Sequence, residues 1–218
     1  MKYEIRKRIN EVKQGEIPNG YKNSKFGIIP QEWQEDTLGN IGKFSKGKGI
    51  PGYEMKKEGI PCVGYGDIYT KYKYYFNKAC SFVDKSIAEK STEISRGTLL
   101  FTGSGETAEE IGKCVCYNGK EKIYAGGDII LFLTFKVDPI FVAFQQNSEV
   151  SVQEKAQLGQ GHSIVHIYEK DLSKLTIVYP KNKEESKKIS SILEKQNEII
   201  INQENKIRTI KEKQKYLI

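Results

Sequence analysis

The sequence predicts an α+β fold: one mixed α/β body, a long C-terminal coiled-coil helix behind it, and a short N-terminal helix in front. Three observations lead there. Short apolar runs bounded by Gly, Asn and Asp are interspersed with capped helical stretches, without the regular strand–helix alternation of a parallel sheet. From Asn182 onward, Ile189, Leu193, Gln196, Ile200, Gln203, Ile207, Ile210, Gln214 and Leu217 recur at alternating steps of four and three. That spacing is a heptad seam, one helix face kept turned toward a partner helix. At the other end Ile5, Ile9 and Val12 step by four and three before Gly15 closes the turn.

The elements follow in order. Residues 1–27 form the short helix (Met1–Gln14) and a turn-rich linker, residues 28–180 the body, and residues 181–218 the helical rod. Trp33, the only tryptophan, is a candidate core anchor. A strand over Leu38–Lys46 leads into Lys46-Gly47-Lys48-Gly49, a glycine loop whose two lysines suit a phosphate backbone or a solvated hairpin tip. Gly59–Val63 begins another strand. Tyr65, Tyr69, Tyr72, Tyr74, Tyr75 and Phe76 are interleaved with Lys71, Lys73 and Lys78. This pattern suits either a nucleic-acid surface, where rings stack and lysines meet phosphates, or a half-buried strand. Asp84–Glu93 reads as a short helix or turn. Strands are expected at Thr98–Thr102, Lys113–Tyr117 and Asp128–Phe135, with Asn118-Gly119 as a hairpin turn into Lys120–Tyr124. Asp138-Pro139 is a helix start, a cap followed by proline at the first helical position, leading Ile140–Asn147; Glu149–Leu158 is a second helix. Gly159–His162 is a loop, and Ile164–Ile167 and Ile177–Tyr179 are strands. Asn182 with Glu185 three residues on is a capping box for the rod. About 35 helical residues at 1.5 Å each make it roughly 50 Å long.

Charge and cysteines narrow the function classes. Residues 1–25 carry seven Lys and Arg against three acids and residues 181–218 ten against six, while the body between them carries eighteen against nineteen. The net charge of +7 therefore sits on the helices, and a nucleic-acid face on the body must be a local patch. No apolar run reaches membrane-spanning length, and MKYEIRKRIN is not a secretory signal. Cys62, Cys80, Cys114 and Cys116 lack metal spacing, which points to free thiols in a cytoplasmic protein with no metal and no cofactor.

Three motifs compete for a chemical role. Phe101-Thr102-Gly103-Ser104-Gly105-Glu106-Thr107-Ala108 fits a dinucleotide fingerprint and also the FxGxG loop of adenine methyltransferases, with Asp138-Pro139-Ile140-Phe141 as a loose partner motif. Too few residues precede Gly112 for the helix a phosphate would need, and Glu106, Glu109 and Glu110 crowd the site with negative charge. Gly105–Cys114 has the wrong spacing for a phosphate loop and lacks its hydroxyl. His162 and His166 share one face of the expected strand, with no nucleophile placed beside them.

Motifs along the whole chain resemble the specificity subunit of type I restriction–modification systems. They are Ile29-Pro30-x-x-Trp33 before Leu38-Gly39; Gly59-Ile60-Pro61; Gly66-Asp67-Ile68; Gly97-Thr98-Leu99-Leu100; Gly103-Ser104-Gly105 to Ile111-Gly112-Lys113; Gly126-Gly127-Asp128-Ile129; and Leu175–Pro180 before the rod. The family often has aspartate where Thr98 stands. The resemblance implies a non-catalytic target-recognition domain on a spacer helix, a half-subunit that self-associates through that helix. The partners it implies are double-stranded DNA, methyltransferase subunits and, through them, a restriction subunit. The residues expected at DNA are Lys46 and Lys48 on phosphates, Lys71, Tyr72 and Lys73 along the groove wall, Ser104 at a strand end, and Gln160 and His162 at base edges. The rival readings are a small S-adenosylmethionine-dependent methyltransferase fragment and a coiled-coil adaptor.

Overall fold

A computed structural model describes residues 16–161 and 164–215; the expected helix at Met1–Gln14, His162 and Leu217 lie outside the described residues. A hairpin of β1 (Tyr21–Ser24) and β2 (Gly27–Pro30) opens the described chain, followed by β3 (Gln34–Thr37). One helical turn, α1 (Leu38–Ile41), then precedes β4 (Gly42–Lys46), so the single strand expected over Leu38–Lys46 is divided. Leu38 and Ile41 are both fully buried, and a helical turn is what puts residues three apart on one side. Next come β5 (Ile60–Val63) and α2 (Tyr65–Thr70). The tyrosine-rich run is thus helix first, reaching a strand only at β6 (Tyr75–Phe76). Asp67 drives the helical turn: its carboxylate accepts from the Gly64 N–H at 3.0 Å and from the Ser81 hydroxyl at 2.9 Å.

After β7 (Ser81–Val83), α3 (Lys85–Ala88) and β8 (Thr92–Ile94) come the strands of the core. These are β9 (Leu99–Thr102), the two-residue β10 (Ser104–Gly105), β11 (Cys114–Tyr117), β12 (Ile123–Ala125) and β13 (Ile129–Thr134). A five-stranded sheet runs β4-β13-β9-β11-β6, and a four-stranded sheet runs β7-β5-β12-β8. Asn118-Gly119 does not make the expected hairpin, because β11 and β12 belong to different sheets. The chain leaves one sheet there and enters the other.

The central strands are apolar on both faces because each face has its own core. Leu99, Phe101, Cys114, Cys116, Ile130 and Phe132 point into one. Their neighbours Leu100, Val115, Tyr117, Ile129 and Leu131 point into the other. The two-residue period of a strand splits one apolar run between two layers. The first core is closed by α4 (Pro139–Gln146), which begins as the sequence predicts: Asp138 Oδ1 accepts from the N–H groups of Ile140 and Phe141 at 3.1 and 3.3 Å. α5 (Glu149–Leu158) follows, started by Ser148. The fully buried Lys155 on α5 donates to the carbonyls of Gly112 and Gln146 at 2.7 and 2.8 Å, and burial pushes its pKa down to about 8.

The chain ends with β14 (Val165–His166), α6 (Glu169–Leu172), β15 (Thr176–Tyr179) and α7 (Lys183–Lys215). β15 pairs with β3, bringing the two ends of the body together at the root of α7. Asn182 caps α7 as expected, accepting from the Glu184 N–H at 2.9 Å; the Glu185 carboxylate is instead taken by Trp33 Nε1 at 3.0 Å. Trp33 also meets Phe141 edge-on at 5.9 Å. α7 then lies along the body through buried Ser186, Ser190 and Asn197, with Ile189 and Leu193 half-buried. The first link is double: the Ser186 hydroxyl accepts from the Asp138 N–H, and the Ser190 hydroxyl donates to Asp138 Oδ1 at 2.6 Å.

Candidate nucleic-acid interface

Sheet register sorts the loops onto two ends of the body. Lys46 pairs with Ile130 and Thr102 with Ile129, so the end of β4, the end of β9 and the start of β13 share one edge. Gly42 pairs with Thr134 at the opposite edge, next to the segment that anchors α7. The loops bearing Lys46, Lys48 and Ser104 therefore gather at the end away from the root of the long helix.

The glycine loop after β4 is held and not a free tip. The Gly47 N–H donates to Ile129 O at 2.8 Å, Lys48 N–H to Ala125 O at 3.3 Å, and Gly127 N–H to Gly49 O at 2.9 Å. A Cβ at Gly47 would stand 1.9 Å from Gly126 O, so only glycine permits this approach. Ile50 follows at φ 56°, a costly conformation for a β-branched residue, with its side chain buried. Lys46 and Lys48 are exposed. Lys46 shares a cleft of about 370 Å³ with Asp128, His166, Tyr168, Glu169 and Lys170.

Ser104 sits in a small sheet beside that cleft. β10 pairs antiparallel with β14, placing Ser104 opposite His166. On its other side His166 bridges to Gln160 by two backbone bonds, of 2.9 Å to its carbonyl and 2.8 Å from its N–H. The structure thus brings Ser104 and Gln160 to either flank of His166. The anchor of this sheet is Tyr69. Its hydroxyl lies 2.8 Å from Thr102 Oγ1, 2.8 Å from Ser104 O and 3.1 Å from Glu110 O. With one proton it serves one carbonyl at a time while accepting from Thr102. Burial raises its pKa, so the phenol stays protonated and able to donate.

Lys71, Tyr72 and Lys73 run from the end of α2 toward α7. Lys71 is exposed. Tyr72 stacks on Phe76 at 4.0 Å and 11°, and its hydroxyl accepts from the Cys80 N–H at 3.1 Å, so one ring face is already occupied. Lys73 Nζ lies 3.6 Å from Glu204 on α7 and 5.9 Å from the Tyr74 ring. Sequence reasoning left His166, Asp128 and Tyr69 unassigned. His166 carried a signal in the alternation of Ile164–Ile167; Tyr69 stood out only as one of a run of tyrosines, and its anchoring role was unreadable because its partners lie far along the chain.

The geometry bears on the competing motifs too. The segment after Gly105 is turns and not helix up to Gly112, so the glycine fingerprint lacks the helix start that would hold a phosphate. Among the described residues, no cluster of three or more His, Cys, Asp or Glu is placed to hold a metal ion, and no helix is long and apolar enough to cross a membrane. Cys62, Cys114 and Cys116 are buried free thiols; Cys80 is an exposed one. Burial pushes the Cys62 thiol up to about 12.

No protein-family model matches the sequence, and no curated protein matches it. Solved structures do match the fold. The S subunit of a type I restriction–modification system from M. genitalium superposes with a TM-score of 0.53 at 18% identity, over 86% of this chain and 42% of that one. The HsdS subunit from Thermoanaerobacter tengcongensis gives 0.54 at 15% identity, over 92% and 46%. A chain from a structure addressing complex assembly and conformational transition of the type I R-M system gives 0.56 at 14%, over 92% and 47%. The chain spans less than half the length of each. This chain, a mixed α/β body carrying a long C-terminal helix, shares the fold of under half of each of these chains.

Proposed function

We propose that this chain is a non-catalytic DNA-reading half-subunit of a type I restriction–modification complex, and that it holds methyltransferase subunits, and through them a nuclease subunit, on a two-part DNA site. The observation that carries the reading is the fold likeness, which takes in about nine-tenths of this chain and under half of each S subunit. The division of the body supports it: polar loops and exposed lysines at one end, the root of the rod at the other. The exposed stripe of α7 offers a seam for a second copy, whose two-fold symmetry would impose an inverted-repeat target.

Selection of duplexes from a random-sequence pool by the full chain, alone and with a methyltransferase subunit, tests this. The expected product is a motif of two inverted half-sites at one fixed spacing. A pool that stays random in both arms sinks the reading. Within it, Lys48→Ala weakens binding to all sequences alike and flattens the salt dependence, since a phosphate contact carries no sequence information. Gln160→Ala relaxes preference at one base pair. Identical behaviour of the two variants would refute the sorting of these contacts.

A further inference from the structure

We propose that Ser104, His166 and Gln160 form a single reading row, a β-ribbon face laid on base edges in the major groove, with His166 as its central specificity-determining residue. This rests on the DNA-reading assignment above and names the surface that does the reading.

The row follows from register. His166 uses both its N–H and its carbonyl toward Gln160, so those two are a hydrogen-bonded pair. Toward Ser104 it has neither left. The bonds on that side come from the flanking residues, as in Ile167 N–H to Gly103 O at 3.0 Å, which makes Ser104 and His166 a non-hydrogen-bonded pair. Directly opposed residues project from the same face of a sheet. Cα spacings of about 4.5 and 5.5 Å for the two pair types set Ser104 and Gln160 about 10 Å apart with His166 between them. The major groove is about 12 Å wide, so outward side chains spread over about 10 Å span it.

Burial shows which face is free. Ile164, His166 and Tyr168 are exposed, while Val165 and Ile167 are 6% and 1% exposed. The odd residues root the strand in the body and the even ones leave it. His166 also lines the cleft shared with Lys46 and Lys170 and with the acids Asp128 and Glu169, so two cations stand beside the row, within reach of flanking phosphates, among two carboxylates. Chemically the row is a hydroxyl, an imidazole and an amide, all able both to donate and to accept, which is what base-edge discrimination needs. It is also rigid. Tyr69 holds Ser104 O, Gly103 N–H donates to Asp128 O at 2.9 Å, and Ile167 N–H holds Gly103 O. A reader held by backbone bonds loses little entropy on binding.

The test is selection from a random duplex pool with wild type, His166→Ala and Ser104→Ala, alongside total affinity for unselected duplex and its salt dependence. His166→Ala is expected to lose preference at one base pair by roughly 10-fold or more, with affinity for unselected duplex within about two-fold and the salt dependence unchanged. Ser104→Ala is expected to relax an adjacent base pair. The pairing of β14 uses backbone groups only, so both variants keep the strand; a thermal melt matching wild type confirms it. Wild-type preference retained by His166→Ala at every position overturns the proposal while leaving the DNA-reading assignment intact. Equal weakening on all sequences overturns it too, by making His166 a phosphate contact. A wild-type chain that enriches no sequence removes both.

Discussion

The two halves of the long helix invert the usual relation between polarity and burial. In the first half, from Lys183 to Asn197, the buried residues are Ser186, Ser190 and Asn197. In the second half every described side chain from Glu198 to Gln214 is exposed, and among them Ile199, Ile200, Ile207 and Ile210 are 45–57% exposed. The body covers Ser186, Ser190 and Asn197 fully and Ile189 and Leu193 in part, and leaves the later isoleucines uncovered. The close approach of small hydroxyls explains the first half: Ser186 and Ser190 reach Asp138, which a bulkier residue would push away. The isoleucines of the second half have no such account within one chain. Exposed apolar rows of this length mark an interaction face. One helix thus docks on its own body along its first half and, along its second, presents the exposed isoleucines that the proposed seam would use.

Paired substitutions break the comparison most strongly. On the proposed self-association, Ile207→Lys with Ile210→Lys is expected to shift the dimer dissociation constant by 100-fold or more, because each isoleucine buried in the seam would contribute about 1.5–3 kcal/mol. The melting of the body should not move. Sedimentation equilibrium and a thermal melt on the same sample read both; a body destabilised in parallel would mean the halves are not separate.

Trp33→Ala attacks the other half. It removes the edge-on contact with Phe141 and the hydrogen bond to Glu185. Denaturant unfolding should show a loss of about 2–3 kcal/mol, with the association of the folded protein unchanged.

The smallest effect is electrostatic. Burial raises the pKa of Glu194, helped by Asp138 and Glu198 and opposed by Arg96. A raised carboxyl pKa means the charged form is less comfortable folded than unfolded. The penalty is absent below the unfolded pKa and grows as pH rises through the folded one. Glu194→Gln should therefore stabilise the body at pH 7, by a few tenths of a kcal/mol given how much of the group remains in water, with the gain gone at pH 4. Denaturant midpoints at the two pH values check the sign.

How much was legible follows from how local each signal is. The start of α4 was readable because cap and proline are adjacent in sequence. The strands β9, β11 and β13 were readable because both faces are apolar, which leaves an unbroken run. The helical turns at Leu38–Ile41 and Tyr65–Thr70 were not. Each is so short that its pattern looks like strand, and what holds α2 is Asp67 reaching Gly64 and Ser81. Asn118-Gly119 misled because dipeptide chemistry specifies a turn and not which sheet comes next. At the candidate interface the exposed lysines and Gln160 were visible as residue types in glycine loops. The alignment of Ser104 with His166 was not, since it is set by pairing between segments some sixty residues apart.

The alternation along Ile164–Tyr168 constrains how this strand can change over time. A one-residue shift in the register of this strand would turn it over, burying an imidazole and exposing two aliphatics, so odd register shifts there are costly. Even ones keep the aliphatics inside and present a fresh set of outward side chains. On the proposed reading, target preference at this strand should then drift by substitution of outward residues, with the body beneath left as it is.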